Sequence, residues 1–119
     1  ITVLYKGKTI FFAGDTGYDP ELFKEIGRRF KVDAALLPIA PVEPREFMQR
    51  VHVDPKEAVQ IFEDVRAKIM IPMHHRTFFQ GLEPTAGYAQ DLLEKVIEEI
   101  GCRDRIRILE IGEQWISDQ

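Results

Sequence analysis

The sequence has 119 residues, of which 45% are hydrophobic and 30% are charged, a balance typical of one soluble globular domain rather than a disordered chain. The formal net charge of −4 gives no basic footprint for nucleic acid and disfavours a polybasic membrane-binding segment. The single cysteine, Cys102, excludes an internal disulfide and favours a reducing, cytoplasmic compartment.

The chain opens on Ile1, and the segment from Ile1 to Tyr5 already has the composition of a strand. The charged and apolar regions of a signal peptide are absent from this opening. No apolar run approaches the roughly 20 residues that cross a bilayer. A sequence that begins inside a strand is expected to be a fragment of a longer polypeptide, with a trimmed terminus as the alternative.

The first predicted elements are a β-hairpin and a helix. The turn Lys6-Gly7-Lys8 joins the opening strand to a second strand, Thr9 to Ala13, as expected of a tight Gly-containing turn. The uninterrupted apolar run from Ile10 to Ala13 predicts a strand that is covered on both faces. Apolar residues then recur at helical spacing from Pro20 to Phe30, with proline in the favoured first turn.

Strands and helices continue to alternate along the rest of the chain, which predicts an α/β domain spanning residues 1–119. A long segment from Ala40 to Val53 has no period and is interpreted as a functional loop. A helix is predicted to begin at Asp54-Pro55, and another to end at Gly101. The remaining predicted strands are Ala34 to Ile39, Lys68 to Met73, Ile106 to Ile111 and Gln114 to Ile116.

Three residues at strand or loop ends are candidates for chemistry. Asp15 follows a buried strand, His52 precedes a helix, and His74 follows the strand that ends at Met73. Ligand sites of open α/β sheets lie at the carboxyl ends of strands, so Asp15 and His74 are expected to converge. Carboxylate and imidazole together are ligands for zinc, iron or manganese.

Each candidate also has a purely structural interpretation. Asp15 lies in a Gly-Asp-Thr-Gly segment, where aspartate and glycine are common turn residues. His52 is compatible with a surface loop, and the pair His74-His75 with a histidine that hydrogen-bonds to the backbone. A phosphoacceptor role for Asp15, as in a response regulator or phosphatase, would require further carboxylates beside it. Thr16, Gly17 and Tyr18 do not supply them.

Considered together, five segments resemble the metallo-β-lactamase-fold hydrolases. They are most similar to the branch that contains N-acyl-phosphatidylethanolamine-hydrolysing phospholipase D and its bacterial relatives. The order and spacing of the segments are preserved over about residues 1 to 115 of the chain. The segments are Ile10 to Tyr18 with its Gly-Asp-Thr-Gly-Tyr, Ala35 to Ile39, Glu43 to Met48, His52 to Val59 and Ile71 to Phe78.

The resemblance implies the C-terminal half of a four-layer αββα sandwich and a site with two zinc ions. Asp15 matches the carboxylate that bridges the two metals, and His74 matches the last metal-ligating histidine. His52 matches a histidine near the metals that is not usually a ligand and that helps to orient the substrate phosphate or leaving group. His75 stands where relatives often have tryptophan. The implied reaction is hydrolysis of a lipid or small-molecule phosphodiester.

The sequence departs from the family in lacking the H-x-H-x-D-H motif, which would lie before Ile1. Asp15 and His74 supply two ligands, whereas a catalytic zinc needs about three protein ligands. We therefore expect the isolated chain to be inactive and to pair with a missing N-terminal half or with a second copy. The alternative is a half-domain without catalytic activity that acts by dimerisation or partner binding.

Overall fold

The computed structural model describes residues 1–14, 17–40, 53–73 and 87–116. None of the helices in these ranges is long and apolar enough to cross a membrane. The elements are strands β1 (Thr2–Tyr5), β2 (Lys8–Phe12), β3 (Ala34–Pro38) and β4 (Ile69–Met73), helices α1 (Pro20–Arg29), α2 (Pro55–Asp64) and α3 (Tyr88–Ile100), and a 3₁₀ turn at Arg103–Arg105.

The four strands form one sheet in the order β1-β2-β3-β4, in which β1 is antiparallel and the other three are parallel. Helices α1 and α2 connect the parallel strands. Because such crossovers are almost always right-handed, consecutive strands added in one direction place both helices on the same face. Contacts of α2 with both α1 and α3 agree with a single helical layer.

The sheet has one covered and one open face in the described part of the chain. The register pairs Phe11 with Ala35 and Ala35 with Met70, and these side chains are buried beneath the helices in the hydrophobic core. Ile10 and Phe12 point to the other face and remain 39% and 38% exposed. The prediction of a β2 strand covered on both faces is therefore not met, because the described helices supply only one layer.

Local sequence signals set the helix boundaries as predicted. The Asp54 side chain accepts a hydrogen bond from the Glu57 amide at 2.8 Å, and the Glu57 carboxylate accepts one from the Asp54 amide at 3.3 Å. This capping box satisfies two backbone donors that the first turn of α2 would otherwise leave unpaired. At the end of α3, Gly101 has a φ of +77° and so closes the helix in a left-handed conformation.

The prediction of two C-terminal strands, at Ile106 to Ile111 and Gln114 to Ile116, is wrong. Only an isolated parallel bridge joins Ile106 to Met70. Beyond it a turn intervenes, in which the Glu113 amide donates to the Glu110 carbonyl at 2.9 Å and Gly112 has a φ of +85°. The apolar pattern of this segment therefore does not extend into a strand ladder.

The end of α2 carries an arginine where glycine is usual. The Arg66 amide donates to the Glu63 carbonyl at 3.1 Å, and the Ala67 amide donates to the Phe62 carbonyl at 3.3 Å. This pair of bonds is the Schellman arrangement, which requires a left-handed residue. Arg66 has a φ of +57°, and a side chain in that region costs about 1 kcal/mol.

Helices α1 and α2 approach each other closely at Gly27. A Cβ atom at this position would lie 2.4 Å from the carbonyl oxygen of Asp64 and 3.1 Å from the backbone of Val65. Both neighbours are backbone atoms, so they cannot rotate away. The absence of a side chain at Gly27 therefore sets the separation of the two helices.

Between the same two helices lies a buried carboxylate. Asp64 is 8% exposed, and its Oδ2 atom accepts a hydrogen bond from the Tyr18 hydroxyl at 2.7 Å while its Oδ1 atom accepts one from the Gln60 amide at 3.2 Å. The Tyr18 ring stacks on Phe23 with centroids 6.3 Å apart. Burial, followed by the hydrogen bond and negative charge of Asp64, raises the pKa of Tyr18 to about 12.

We expect Gly27→Ala to destabilise the fold by about 1–3 kcal/mol, because α1 and α2 must move apart to admit the new methyl group. Urea unfolding measures this loss. The matched control is Gly87→Ala, whose Cβ would meet nothing within 4 Å and which should cost less than about 1 kcal/mol. Equal effects at the two glycines would contradict the close contact.

The Tyr18–Asp64 hydrogen bond predicts a loss of stability in alkali. Between the ordinary tyrosine pKa of about 10 and the folded value of about 12, the folded state holds more protons than the unfolded state, so the free energy of unfolding falls as pH rises. Two pKa units correspond to about 2.7 kcal/mol as an upper limit. Tyr18→Phe should lose less stability over this range than the parent.

Urea unfolding between about pH 9 and pH 12 tests this pH dependence. The control is Tyr5→Phe, which alters a tyrosine that is 67% exposed and should leave the parent's pH dependence unchanged. A Tyr18→Phe variant that loses as much stability as the parent would show that Tyr18 does not cause the alkaline transition.

Candidate metal centre

The carboxyl ends of the three parallel strands lie side by side. Phe12 pairs with Leu36, and Pro38 pairs with Met73. The hydrogen bonds continue just past the strands, since the Ala13 amide donates to the Leu36 carbonyl at 3.2 Å and the Ile39 amide donates to the Met73 carbonyl at 3.1 Å. The backbone is therefore fixed up to the edge at which α/β sheets bind ligands.

All three predicted site residues lie outside the described residues, but each is covalently joined to one that is described. Asp15 follows Gly14, and His74 follows Met73, the last residue of β4. His52 precedes Val53, which is fully buried. His75 also lies outside the described residues. The convergence of Asp15, His52 and His74 stays a prediction.

The described residues next to the three candidates are positioned in three different ways. Gly14 has a φ of +70°, a conformation that glycine adopts without strain and that turns the chain after β2. Val53 belongs to the hydrophobic core immediately before the N-cap of α2. Since α2 runs antiparallel to the strands it connects, its first turn lies towards their carboxyl ends. Met73 is held by its pairing with Pro38.

Tyr18 anchors the chain on the other side of Asp15. Its hydroxyl bond to Asp64 and its stacking on Phe23 attach the start of α1 to the helical layer. Sequence reasoning did not single out Asp64, which is the last residue of the amphipathic helix α2. The available signal was its spacing of four residues from Gln60, which places both polar side chains on one face of α2.

The described residues contain no group of three or more histidine, cysteine, aspartate or glutamate side chains that could hold a metal ion. The donors predicted at the strand edge, the Asp15 carboxylate and the His74 imidazole, fit zinc in kind. They do not fit it in number, because a catalytic zinc needs about three protein ligands. A complete centre therefore needs ligands beyond these two.

Two comparisons with known proteins bear on this arrangement at the level of sequence. Residues 1–75 match the family model of the beta-lactamase superfamily domain. The chain is 33% identical over 119 residues to N-acyl-phosphatidylethanolamine-hydrolyzing phospholipase D 1 of Caenorhabditis elegans, covering 95% of this chain and 33% of that protein. It is 34% identical over 115 residues to the mitochondrial phospholipase D of the same name from Saccharomyces cerevisiae, covering 92% and 24%.

A metal-dependent hydrolase of Methanopyrus kandleri is 32% identical over 107 residues, with 90% of this chain and 40% of that protein covered. The chain thus spans about a third of the length of the relatives it matches. The alignments to these three relatives cover between 90% and 95% of this chain.

Solved structures support the same fold. A metallo hydrolase from Ignicoccus hospitalis superimposes with a TM-score of 0.65 at 26% identity, covering 94% of this chain and 42% of that one. A candidate Zn-dependent hydrolase of the metallo-β-lactamase superfamily from Thermotoga maritima gives a TM-score of 0.57 at 25% identity, covering 80% and 43%.

The described sheet, with helices on one face, fits one half of the sandwich expected from the sequence, and the α/β prediction is confirmed. The family match covers more than half of the chain, and the structural neighbours share its fold. The chain belongs to the metallo-β-lactamase-fold family of metal-dependent hydrolases.

Proposed function

We propose that this chain contributes part of the zinc centre of a phosphodiester hydrolase, with Asp15 and His74 as metal ligands and His52 as a catalytic residue. The observation that carries the proposal is the alignment of β2 and β4 with β3. This alignment brings the described residues Gly14 and Met73, which directly precede the two proposed ligands, to the same edge of the sheet.

The residue types suit these roles. The two oxygens of the Asp15 carboxylate can address two cations, and the His74 imidazole follows a strand whose pairing fixes the backbone direction. We assign His52 to orienting the substrate phosphate or the leaving group. When bound, a pair of zinc ions supplies stabilisation of negative charge on the phosphoryl oxygens and a water of lowered pKa.

The substrate class rests on the relatives. Two of them are named as phospholipases D that hydrolyse N-acyl-phosphatidylethanolamine, so we propose a lipid or small-molecule phosphodiester as substrate. The Thermotoga maritima structure, described as Zn-dependent, supports zinc as the metal. Because Asp15 and His74 are too few for a catalytic site, we propose that the isolated chain is inactive and needs ligands from another segment or chain.

We expect the isolated chain to bind zinc weakly or not at all. Asp15→Ala and His74→Ala should unfold within about 0.5 kcal/mol of the parent, because we assign both side chains to metal binding rather than to packing. Metal analysis after gel filtration and urea unfolding are the measurements. Asp104→Ala, which alters an exposed aspartate that is not part of the hydrophobic core, is the control. Tight stoichiometric zinc that both variants lose would show that the chain has a complete site of its own.

The open face of the sheet supports a second proposal, which concerns the partner. Val3, Ile10 and Phe12 share this face by register and are 47%, 39% and 38% exposed, and Leu36 and Ile71 extend it as half-buried neighbours. Contiguous apolar surface of this kind usually marks an interface. We propose that it packs against an N-terminal half of the same fold or against a second copy.

The second candidate function is that of a half-domain without catalytic activity, which acts through this contact alone. The same apolar face is the observation that favours it. The two functions differ in their dependence on metal. Loss of zinc would abolish hydrolysis by an assembled centre, whereas it would leave a purely apolar sheet-to-sheet contact unchanged.

Light scattering at micromolar concentration should detect self-association of the isolated chain. Phe12→Glu should weaken the association at least about tenfold, because it places a charge in the apolar contact. The matched control is Leu22→Glu on α1, which alters a side chain that is 52% exposed on the helical layer. A monodisperse monomer that binds no dye for exposed apolar surface would contradict the proposed contact.

A further inference from the structure

A basic cleft lies at the opposite end of the sheet from the candidate metal centre. Helix α1 runs back from the carboxyl edge, so its last turn and the following connection lie at the amino edge of β3. The cleft has a volume of about 470 Å³, and the cationic side chains that line it are Arg28, Arg29, Lys31, Arg66 and Lys68. No acidic residue of the described ranges lines it, although the whole chain carries a net charge of −4.

Neighbouring carboxylates neutralise only part of this charge. Arg28 and Arg29 share the single carboxylate of Glu25. Lys68 lies 3.4 Å from Asp33, whose carboxylate also accepts the Thr9 amide at 2.8 Å.

Lys31 and Arg66 form no ion pair with any residue in the described part of the chain. Among the described residues, three of the five cations therefore share two carboxylates, and the other two have no ion-pair partner.

Helix electrostatics account for some of these cations but not for all. Arg28 and Arg29 belong to the last turn of α1, where positive charge complements the negative end of the helix dipole. Arg66 differs, because it occupies the left-handed position after α2 at which glycine would be more stable. A residue that departs from the local backbone preference is expected where function requires its side chain.

We propose that this cleft binds a phosphate group, with Arg66 and Lys31 as its principal contacts. The planar guanidinium of Arg66 can donate two parallel hydrogen bonds to phosphate oxygens, and the Lys31 ammonium adds a point charge. The site is separate from the predicted metal ligands, since it is built at the amino rather than the carboxyl edge of the sheet. It does not depend on the proposed hydrolase activity.

The key variant is Arg66→Gly, because it should raise the stability of the fold while it lowers the affinity of the cleft for phosphate. Relief of the left-handed side chain should raise the urea midpoint of unfolding. Affinity for pyrophosphate, measured by calorimetry in metal-free buffer, should fall about tenfold, or about 1.4 kcal/mol. Lys31→Gln should also weaken pyrophosphate binding.

The matched control is Lys6→Gly. Lys6 is the other non-glycine residue with positive φ in the described ranges, at +48°. Its loss removes the same unit charge from the β1–β2 turn, and Lys6 does not line the cleft. This control should leave pyrophosphate affinity unchanged. Equal losses of affinity in Arg66→Gly and Lys6→Gly would overturn the site in favour of a general effect of net charge.

Sedimentation with vesicles distinguishes free phosphate from phosphate on a lipid surface. Vesicles of phosphatidylcholine, alone or mixed with phosphatidylglycerol, are compared with pyrophosphate in solution. Binding of either anionic probe that depends on Arg66 supports the site and assigns the source of the phosphate. The site would be overturned if the parent binds neither probe, or if Arg66→Gly binds as tightly as the parent.

Discussion

The parallel pairing of β2, β3 and β4 is the constraint on which the rest of the structure depends. Parallel neighbours need long crossovers, and the right-handed preference of these crossovers places α1 and α2 on one face. The same pairing brings the carboxyl ends of the strands to one edge, and the helices of the described residues leave the opposite face of the sheet uncovered. The predicted convergence of the metal ligands rests on the first of these consequences, and the proposed apolar interface rests on the second.

The helical layer depends in turn on the contact between α1 and α2. Gly27 lets the two backbones approach, and Asp64 lies directly at this contact. A buried carboxylate is costly unless its oxygens are hydrogen-bonded. Tyr18 and Gln60 each donate to one oxygen of Asp64, so the carboxylate links the segment after Asp15 to the end of α2. The same interaction therefore serves the packing of the helices and the anchoring of a loop next to the candidate centre.

The two ends of the sheet differ in chemistry. The carboxyl edge leads into segments that carry a carboxylate and imidazoles, which are ligands for cations. The amino edge carries an excess of arginine and lysine around a cleft, which suits anions. In a chain with net negative charge, this concentration of positive charge is a local feature produced by α1, its connection to β3 and the turn before β4.

The sequence by itself determined the features that depend on short-range interactions. Asp54 and Pro55 predicted the start of α2, and Gly101 predicted the end of α3, because caps involve residues only a few positions apart. The family was also predicted correctly, from segments whose order is visible in the sequence. The roles of Asp15, His52 and His74 remain predictions that rest on that resemblance and on the strand edge beside them.

Only the tertiary structure decided the features that depend on long-range pairing. The apolar pattern after Ile106 predicted strands, but a strand requires a partner along its length, and only a single bridge to Met70 forms. The apolar run in β2 did not show which face the helices cover. The contact of Asp64 with Tyr18 and the gathering of Lys31 with Arg66 join residues from separate elements. The spacing of Asp64 from Gln60 shows only that these two residues share a helix face, so it does not reveal these long-range contacts. These contacts are set by the way the crossovers return to the sheet, which is a property of the assembled chain.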